Sequence, residues 1–320
     1  MRNRAGVLAA LLLLSAVGVP AARGTTTGCT NDSAACMIAA AGKYLDALVS
    51  HDASGVPLAD NAVRTEQGGN TGANAQEIRD GLESPVMSSI SGVRDRRWFV
   101  EPETHNAIVY YLLDSTTIPP SPAHTSTAHI AERFKVVDGL IHEIEAIFWI
   151  SPGPSEEPSG WEQPPPLVPP SRDHDGPRPC HDRSRGCAIA AATTYLDALI
   201  SNDASAIALA PTAVRTINGG DPSDEQEIRD SLEPPSGDES NTGIRDLRWF
   251  VQRRSDGSLD ATAFYLLDTS TIPPHEAVHT TTTHLVERFR VLDGYIHEIE
   301  AVFWASPGPT QEPSGWERTS

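Results

Sequence analysis

The chain has 320 residues, 39% of them hydrophobic and 21% charged. That composition excludes a disordered chain and a bundle of membrane helices. Asp and Glu number 43 against 24 Lys and Arg, a formal net charge of -19. A field of that sign repels nucleic acid and anionic lipid, so neither is an expected partner.

The first 22 residues read as a secretory signal peptide. Arg2 and Arg4 precede an apolar run from Val7 to Val19, and the small residues Ala21 and Ala22 follow. A bilayer span needs about 20 apolar residues, so the run is short for an anchor. The expected mature protein is secreted or otherwise extracytoplasmic, begins near Arg23 and has no membrane attachment. In an oxidising compartment, Cys29 with Cys36 and Cys180 with Cys187, seven residues apart in each case, read as two local disulfides. Seven residues of helix rise roughly 10 Å, beyond the ~7 Å that a disulfide tolerates, so the chain must turn between the two cysteines. No CxxC or HExxH is present, and no metal or cofactor is expected. Asn31-Asp32-Ser33 is a single glycosylation acceptor pattern.

The apolar stripe Met37, Ala40, Ala41, Tyr44, Leu45, Leu48 predicts a helix over Ala34 to Val49. A short second helix is expected over Ser54 to Leu58, an extended segment over Ala62 to Glu66, and a loop over Gly68 to Asn74. Another short helix covers Glu77 to Leu82. Strands follow at Arg94–Glu101, Ala107–Asp114, Thr125–Val137 and Leu140–Ile150. Ile118-Pro119-Pro120 interrupts the run, and Asp138-Gly139 is a hairpin turn signal. Helices followed by an antiparallel meander make an α+β unit.

Everything then happens again. YLDAL at Tyr44 returns at Tyr195, AVRT at Ala62 returns at Ala213, RWFV at Arg97 returns at Arg248, and YLLD at Tyr111 returns at Tyr265. ERF, HEIEA and FW follow in the same order. The reading is a leader over residues 1–22, a first domain over 29–150, a proline-rich linker over 151–179, a second domain over 180–305 and a tail over 306–320. The linker composition is that of a semi-rigid spacer. Two copies in one chain imply an intramolecular pseudo-dimer.

A two-residue turn at Asp138-Gly139 pairs Val137 with Leu140. Counted outward without interruption, it sets Glu132 opposite Glu145, on the face that carries Ile130, Phe134, Ile147 and Trp149. Copy two sets Glu287 opposite Glu300 beside Trp304. Two carboxyls about 5 Å apart resist double ionisation, and a protonated acid beside a carboxylate is suited to acid/base chemistry. The competing readings are a solvated pair at an open sheet end and a salt bridge from one glutamate to Arg94 or Arg97. His124 shares the parity of Glu132 and His129 does not; His279 and His284 are their counterparts. Arg94 and Arg245, next to Asp95 and Asp246, are candidates, together with Arg97 and Arg248, for holding an anionic group in the cleft, or for an internal Arg-Asp salt bridge that braces the strand entry. Asp114 and Asp268 read as turn caps. Tyr44 and Tyr195 lie on the buried helix stripe, where a hydroxyl can point into a cavity. Trp98 and Trp249 are candidate lining residues with Trp149 and Trp304.

The opening helix with YLDAL, AVRTE after it, and the closing hairpin ERFKVVDGLIHEIEAIFW together resemble the SnoaL-like, nuclear-transport-factor-2-like (NTF2-like) superfamily. The resemblance covers Ala34 to Trp149 and Ile189 to Trp304. It implies two cones, each with N-terminal helices over a strongly curved, mostly antiparallel sheet, and an apolar pocket between them. No Tyr-plus-Asp pair of the ketosteroid-isomerase kind stands in register. The function implied is a cofactor-free cyclase, isomerase or hydratase acting on a small apolar or mixed-polarity ligand. The alternative is a non-catalytic binding or structural module.

Overall fold

A computed structural model of the chain describes residues 31–116, 125–151, 167, 176–233, 239–271 and 279–306. The leader, Cys29, His124, nearly all of the linker and the tail after residue 306 lie outside the described residues.

Helix α1 (Ala34–Ser50) starts where the Ser33 hydroxyl accepts the Cys36 N–H at 3.3 Å, and stops at His51, whose φ is 56°. Its buried face is the predicted stripe. Strands β1 (Leu58–Glu66) and β2 (Gly69–Gly72) follow, then helix α2 (Ala75–Leu82), capped by Asn74. The meander is β3 (Ile90–Glu101), β4 (Asn106–Thr116), β5 (Thr125–Val137) and β6 (Leu140–Ser151). Copy two repeats it as α3 (Arg185–Ser201), β7 (Leu209–Ile217), α4 (Glu225–Leu232), β8 (Glu239–Arg253), β9 (Leu259–Thr271), β10 (His279–Leu292) and β11 (Tyr295–Ala305).

Two local expectations are corrected. Ser54 to Leu58 is a turn running into β1 rather than a helix, because Pro57 follows Val56 and the Leu58 N–H closes onto the Val56 carbonyl at 3.0 Å. Gly69 to Gly72 is a strand rather than a loop. Gln67 and Gly68 both take positive φ, so the chain reverses in two residues and β2 lies back on β1. The sheet order is β2-β1-β6-β5-β4-β3, and β1 joins β6 in parallel. Copy two has the order β7-β11-β10-β9-β8.

The helices cover one face of each sheet. Between them lie the first core, with Met37, Tyr44, Leu45, Ile78, Val109 and Phe134, and the second, with Tyr195, Leu196, Ile228, Phe289 and Ile299. Cys180 and Cys187 are joined at a Cα separation of 5.6 Å, the first in the lead-in to α3 and the second inside it. Cys36 is also disulfide-bonded.

The other faces of the two sheets meet each other. Phe99, Ile108, Tyr110, Ala131 and Ile147 pack with Phe250, Phe264, Val286 and Val302. The docking is reciprocal. The Val100 N–H donates to Gln252 Oε1 at 3.0 Å, and the Val251 N–H to Glu101 Oε1 at 3.1 Å. The buried His129 ring lies against Gly219, and the buried His284 ring against Gly68. Both glycines have positive φ, and a methyl group on either would overlap the opposing imidazole. Gly219→Ala is therefore expected to lower stability by more than 1 kcal/mol, from backbone conformation and overlap together. Shrinking the ring with His129→Ala in the same chain should recover part of the loss. A double-mutant cycle in urea with zero coupling would show that the two residues do not meet.

Candidate functional site

The hairpin carries a bulge that the sequence does not announce. Val137 pairs with Leu140 as expected, but the register shifts between Lys135 and Val136. Beyond it Glu132 lies across from Ala146, and Glu145 across from Arg133. Copy two slips in the same way between Arg290 and Val291, setting Glu287 across from Ala301 and Glu300 across from Arg288. One extra residue sends every later side chain of that strand to the opposite face. The expected Glu132/Glu145 and Glu287/Glu300 pairs are thus split between the two faces of each sheet.

Glu145 and Glu300 belong to the docking face. Arg248 Nη1 and Nη2 hold Glu145 at 2.9 and 2.8 Å, and Arg133 Nε reaches it at 3.4 Å. Glu300 accepts from Arg97 at 2.9 and 2.5 Å and from Arg288 at 3.3 Å. The same slip moves two of the expected lining residues. Phe148 and Phe303 pack on the cores, whereas Trp149 and Trp304 stand beside His129 and His284, ring centroids 6.2 and 5.7 Å apart. Trp98 and Trp249 pack against the cores. Arg94 and Arg245 do not reach the cone glutamates. A second bulge at Asp95 and Asp246, both at φ 53°, separates them from Arg97 and Arg248. Arg94 forks onto Asp114 at 2.8 and 3.2 Å, and Arg245 onto Asp268 at the same distances. Asp114 and Asp268 are therefore ion-pair partners rather than turn caps. His279 falls in β10; its side chain, like all of His124, lies outside the described residues.

Glu132 remains inside the first cone, 2% exposed. Tyr111, from β4, donates its hydroxyl to Glu132 Oε2 at 2.8 Å. Tyr44, from α1, faces the same carboxyl, and Arg64 Nη1, from β1, donates to the Tyr44 hydroxyl at 3.3 Å. Arg64 is in turn held by Thr71 Oγ1 at 2.9 Å and faces Glu66 at 3.7 Å. The second cone repeats the core of this arrangement. Tyr265 donates to Glu287 Oε2 at 2.5 Å, Tyr195 faces the same carboxyl, and Arg215 Nη1 donates to Tyr195 at 3.2 Å.

Burial pushes Glu132 up to about 8, against the hydrogen bond from Tyr111, with the negative Glu66 adding to the rise and Arg64 opposing it. Glu287 is pushed up less, to about 7, again by burial and against Tyr265, Arg215 and Tyr195. Ile217 stands where copy one has Glu66, so no second carboxylate raises Glu287. Near neutral pH each cone thus holds a carboxyl that is largely or partly protonated, beside two tyrosine hydroxyls whose own ionisation is suppressed by burial. Such a set can donate a proton to, or take one from, a group placed against it. Among the described residues no group of His, Cys, Asp and Glu could hold a metal ion.

Sequence reasoning names Tyr44, Tyr195, Glu132 and Glu287 separately as pocket candidates, without joining them, and misses Tyr111, Tyr265, Arg64 and Arg215. All four lie in repeated words, YLLD and AVRT. The usable signal was an arginine kept in both copies directly after the apolar pair Ala-Val.

Several solved structures are similar to one copy at a time. SalBIII, an epoxide hydrolase/cyclase-like enzyme described for pyran ring formation in polyether salinomycin, is 11% identical over 37% of this chain and 94% of its own, with a TM-score of 0.33. A protein of unknown function with a cystatin-like fold from Methylobium petroleophilum PM1 is 20% identical over 39% and 82%, TM-score 0.31. An NTF-2 like protein of unknown function from Burkholderia xenovorans LB400 is 12% identical over 42% and 96%, TM-score 0.27. None of the curated proteins matches the chain. The profile of one family matches residues 30–148 and again 181–303, most of the chain. The chain belongs to that family, Domain of unknown function (DUF8021), and carries it twice.

Proposed function

We propose that each cone binds a small apolar or mixed-polarity molecule against its glutamate and moves a proton on it without a cofactor, as a cyclase, isomerase or hydratase does. The observation that carries this reading is the buried carboxyl that accepts from one tyrosine, faces a second, and is raised to about 8 in cone one and about 7 in cone two. In its protonated form, Glu132 or Glu287 donates to a carbonyl or ether oxygen. In its ionised form, it takes a proton from an activated carbon. Tyr111 and Tyr44 supply hydroxyls to the oxygen on which charge develops, and Arg64 orients Tyr44. Export by the leader belongs to the same proposal; it makes the substrate an extracytoplasmic molecule and places the mature N-terminus near Arg23.

One observation favours the alternative of a non-catalytic module. Glu132 and Glu287 are each 2% exposed, and Tyr44 with Phe134, and Tyr195 with Phe289, pack edge to face at 5.3 and 5.5 Å within the two cores. A ligand must displace side chains to arrive.

The test is deuterium exchange at carbons next to a carbonyl, followed by NMR, for a panel of small cyclic ketones with the full chain. Exchange that saturates with ketone and is lost in the Glu132→Gln, Glu287→Gln double variant supports the enzyme. Exchange no faster than in buffer, from a folded wild-type chain, leaves the closed polar core as the better reading.

A further inference from the structure

A second site lies away from both cones, at one end of the interface between the sheets. There a cavity of 260 Å³ is lined by Arg97, Trp98 and Phe99 from the first copy and by Arg254, Arg288, Arg290 and Glu298 from the second. Four guanidinium groups and one carboxylate thus line it, on a chain of net charge -19.

The other carboxylates that balance these arginines are not part of the wall. Arg97 is held by Glu300, with Asp95 at 3.8 Å. Arg288 is held by Asp260 at 2.9 Å, Glu298 at 3.3 Å and Glu300 at 3.3 Å. Arg290 is held by Glu298 at 2.6 Å and Asp256 at 2.5 Å. Arg254 bonds Asp260 at 3.0 Å through Nη1; its Nε and Nη2 carry no protein partner among the described residues. Guanidinium groups fixed in this way are oriented in advance, so an arriving anion orders few side chains.

Docking of the sheets does not require this much charge, as the opposite end of the interface shows. By the pseudo-symmetry, Arg248, Trp249, Phe250, Arg133 and Glu143 occupy the corresponding places there. Lys135 stands for Arg290 and Asn106 for Asp260. No arginine corresponds to Arg254. The β8–β9 turn is longer than the β3–β4 turn, and the added residues bring in Arg254 and Asp256. The Tyr110 hydroxyl, at the richer end, is buried without a hydrogen-bond partner in the field of Glu300, Arg288 and Arg97; its counterpart in copy two is Phe264.

We propose that the inter-domain cavity formed by Arg97, Arg254, Arg288 and Arg290 binds a small multivalent oxyanion, of the phosphate or polycarboxylate type. A volume of 260 Å³ falls just below the ~300 Å³ at which ordinary small-molecule pockets begin, which suits an ion or a compact acid. Guanidinium forks match the oxygens of both classes. Because the cavity joins the two copies, its ligand bridges them and stabilises the docked arrangement.

The experiment is isothermal titration and thermal unfolding of the full chain with sodium phosphate, and separately with citrate, against sodium chloride at equal ionic strength. The expected result is saturable binding of one ion per chain with a rise in Tm that chloride does not give. Arg254→Ser should weaken binding at least tenfold while leaving the Tm without phosphate close to that of wild type, since Asp260 keeps Arg288. Lys135→Ser, at the opposite end, should bind as wild type does. If neither anion acts differently from chloride, or if Arg254→Ser and Lys135→Ser bind alike, the proposal is overturned. Neither readout depends on chemistry in the cones.

Discussion

Glu145→Ala is expected to destabilise the chain by about 3–5 kcal/mol, the range for removing one partner from a buried ion pair. The side chain is 1% exposed and serves two arginines from different copies, Arg133 at 3.4 Å and Arg248 at 2.8 Å. Alanine removes the charge shared by both guanidinium groups. Arg133 still has Glu143 at 2.8 Å, whereas Arg248 has Asp246 at 3.7 Å, so the larger penalty falls on Arg248. Glu300→Ala should act alike through Arg97 and Arg288. Because these pairs join the copies, the variants should also unfold in two steps in urea as the halves separate. A loss below 1 kcal/mol, with a single transition as in wild type, would show that the docking rests on the apolar layer alone.

The part of the stability that Glu132 and Glu287 contribute should fall as pH rises from about 4.5 to about 8, against an opposite contribution below pH 6.5 from His284, which burial lowers to about 4. Glu132 goes from an ordinary value of 4.5 to about 8 on folding. Between those limits the folded chain keeps a proton that the unfolded chain has released, so the unfolding free energy declines with pH and is flat on either side. Glu287 contributes between 4.5 and about 7. At 1.36 kcal/mol per pH unit, Glu132 alone accounts for a loss on the order of 5 kcal/mol by pH 9. Glutamine keeps the shape and still accepts from Tyr111, but has no proton to lose. Glu132→Gln should therefore be more stable than wild type at pH 9 and close to it at pH 4. Urea unfolding across that range measures both. A variant less stable than wild type at pH 9 would mean that the ionised carboxylate is itself a favourable partner in the cone, presumed neutral no longer, with Arg64 its counter-charge.

The gross architecture was readable because period and punctuation agreed. The stripe on α1, the Asp138-Gly139 turn and the repeated words fixed the helix, the hairpin and the duplication. The face on which each glutamate lies was not readable. The extra residues are His142, between Ile141 and Glu143, and His297, between Ile296 and Glu298, and neither stretch contains a glycine or proline that marks a bulge. Both β-branched and charged residues fit a regular strand, so the uninterrupted count looked sound and put Glu145 on the wrong face. The pattern Glu143-Ile144-Glu145 offered a warning: with the bulge, both carboxylates face arginines and Ile144 enters the core. The parallel pairing of β1 with β6 was hidden for another reason. It joins segments some eighty residues apart, and alternation within a strand says nothing about its neighbour.

The docking contacts are mirrored: His129 on Gly219 and His284 on Gly68, Arg248 with Glu145 and Arg97 with Glu300. Each copy presents the same patch to the other, which is the geometry of a twofold homodimer. In a homodimer any substitution is felt twice, once on each side of the axis. Within one polypeptide it is felt once. Tyr110 beside Phe264, Lys135 beside Arg290 and Glu66 beside Ile217 are differences that a true dimer could not have held. Joining the halves lets one end of the seam, and one cone, differ from the other.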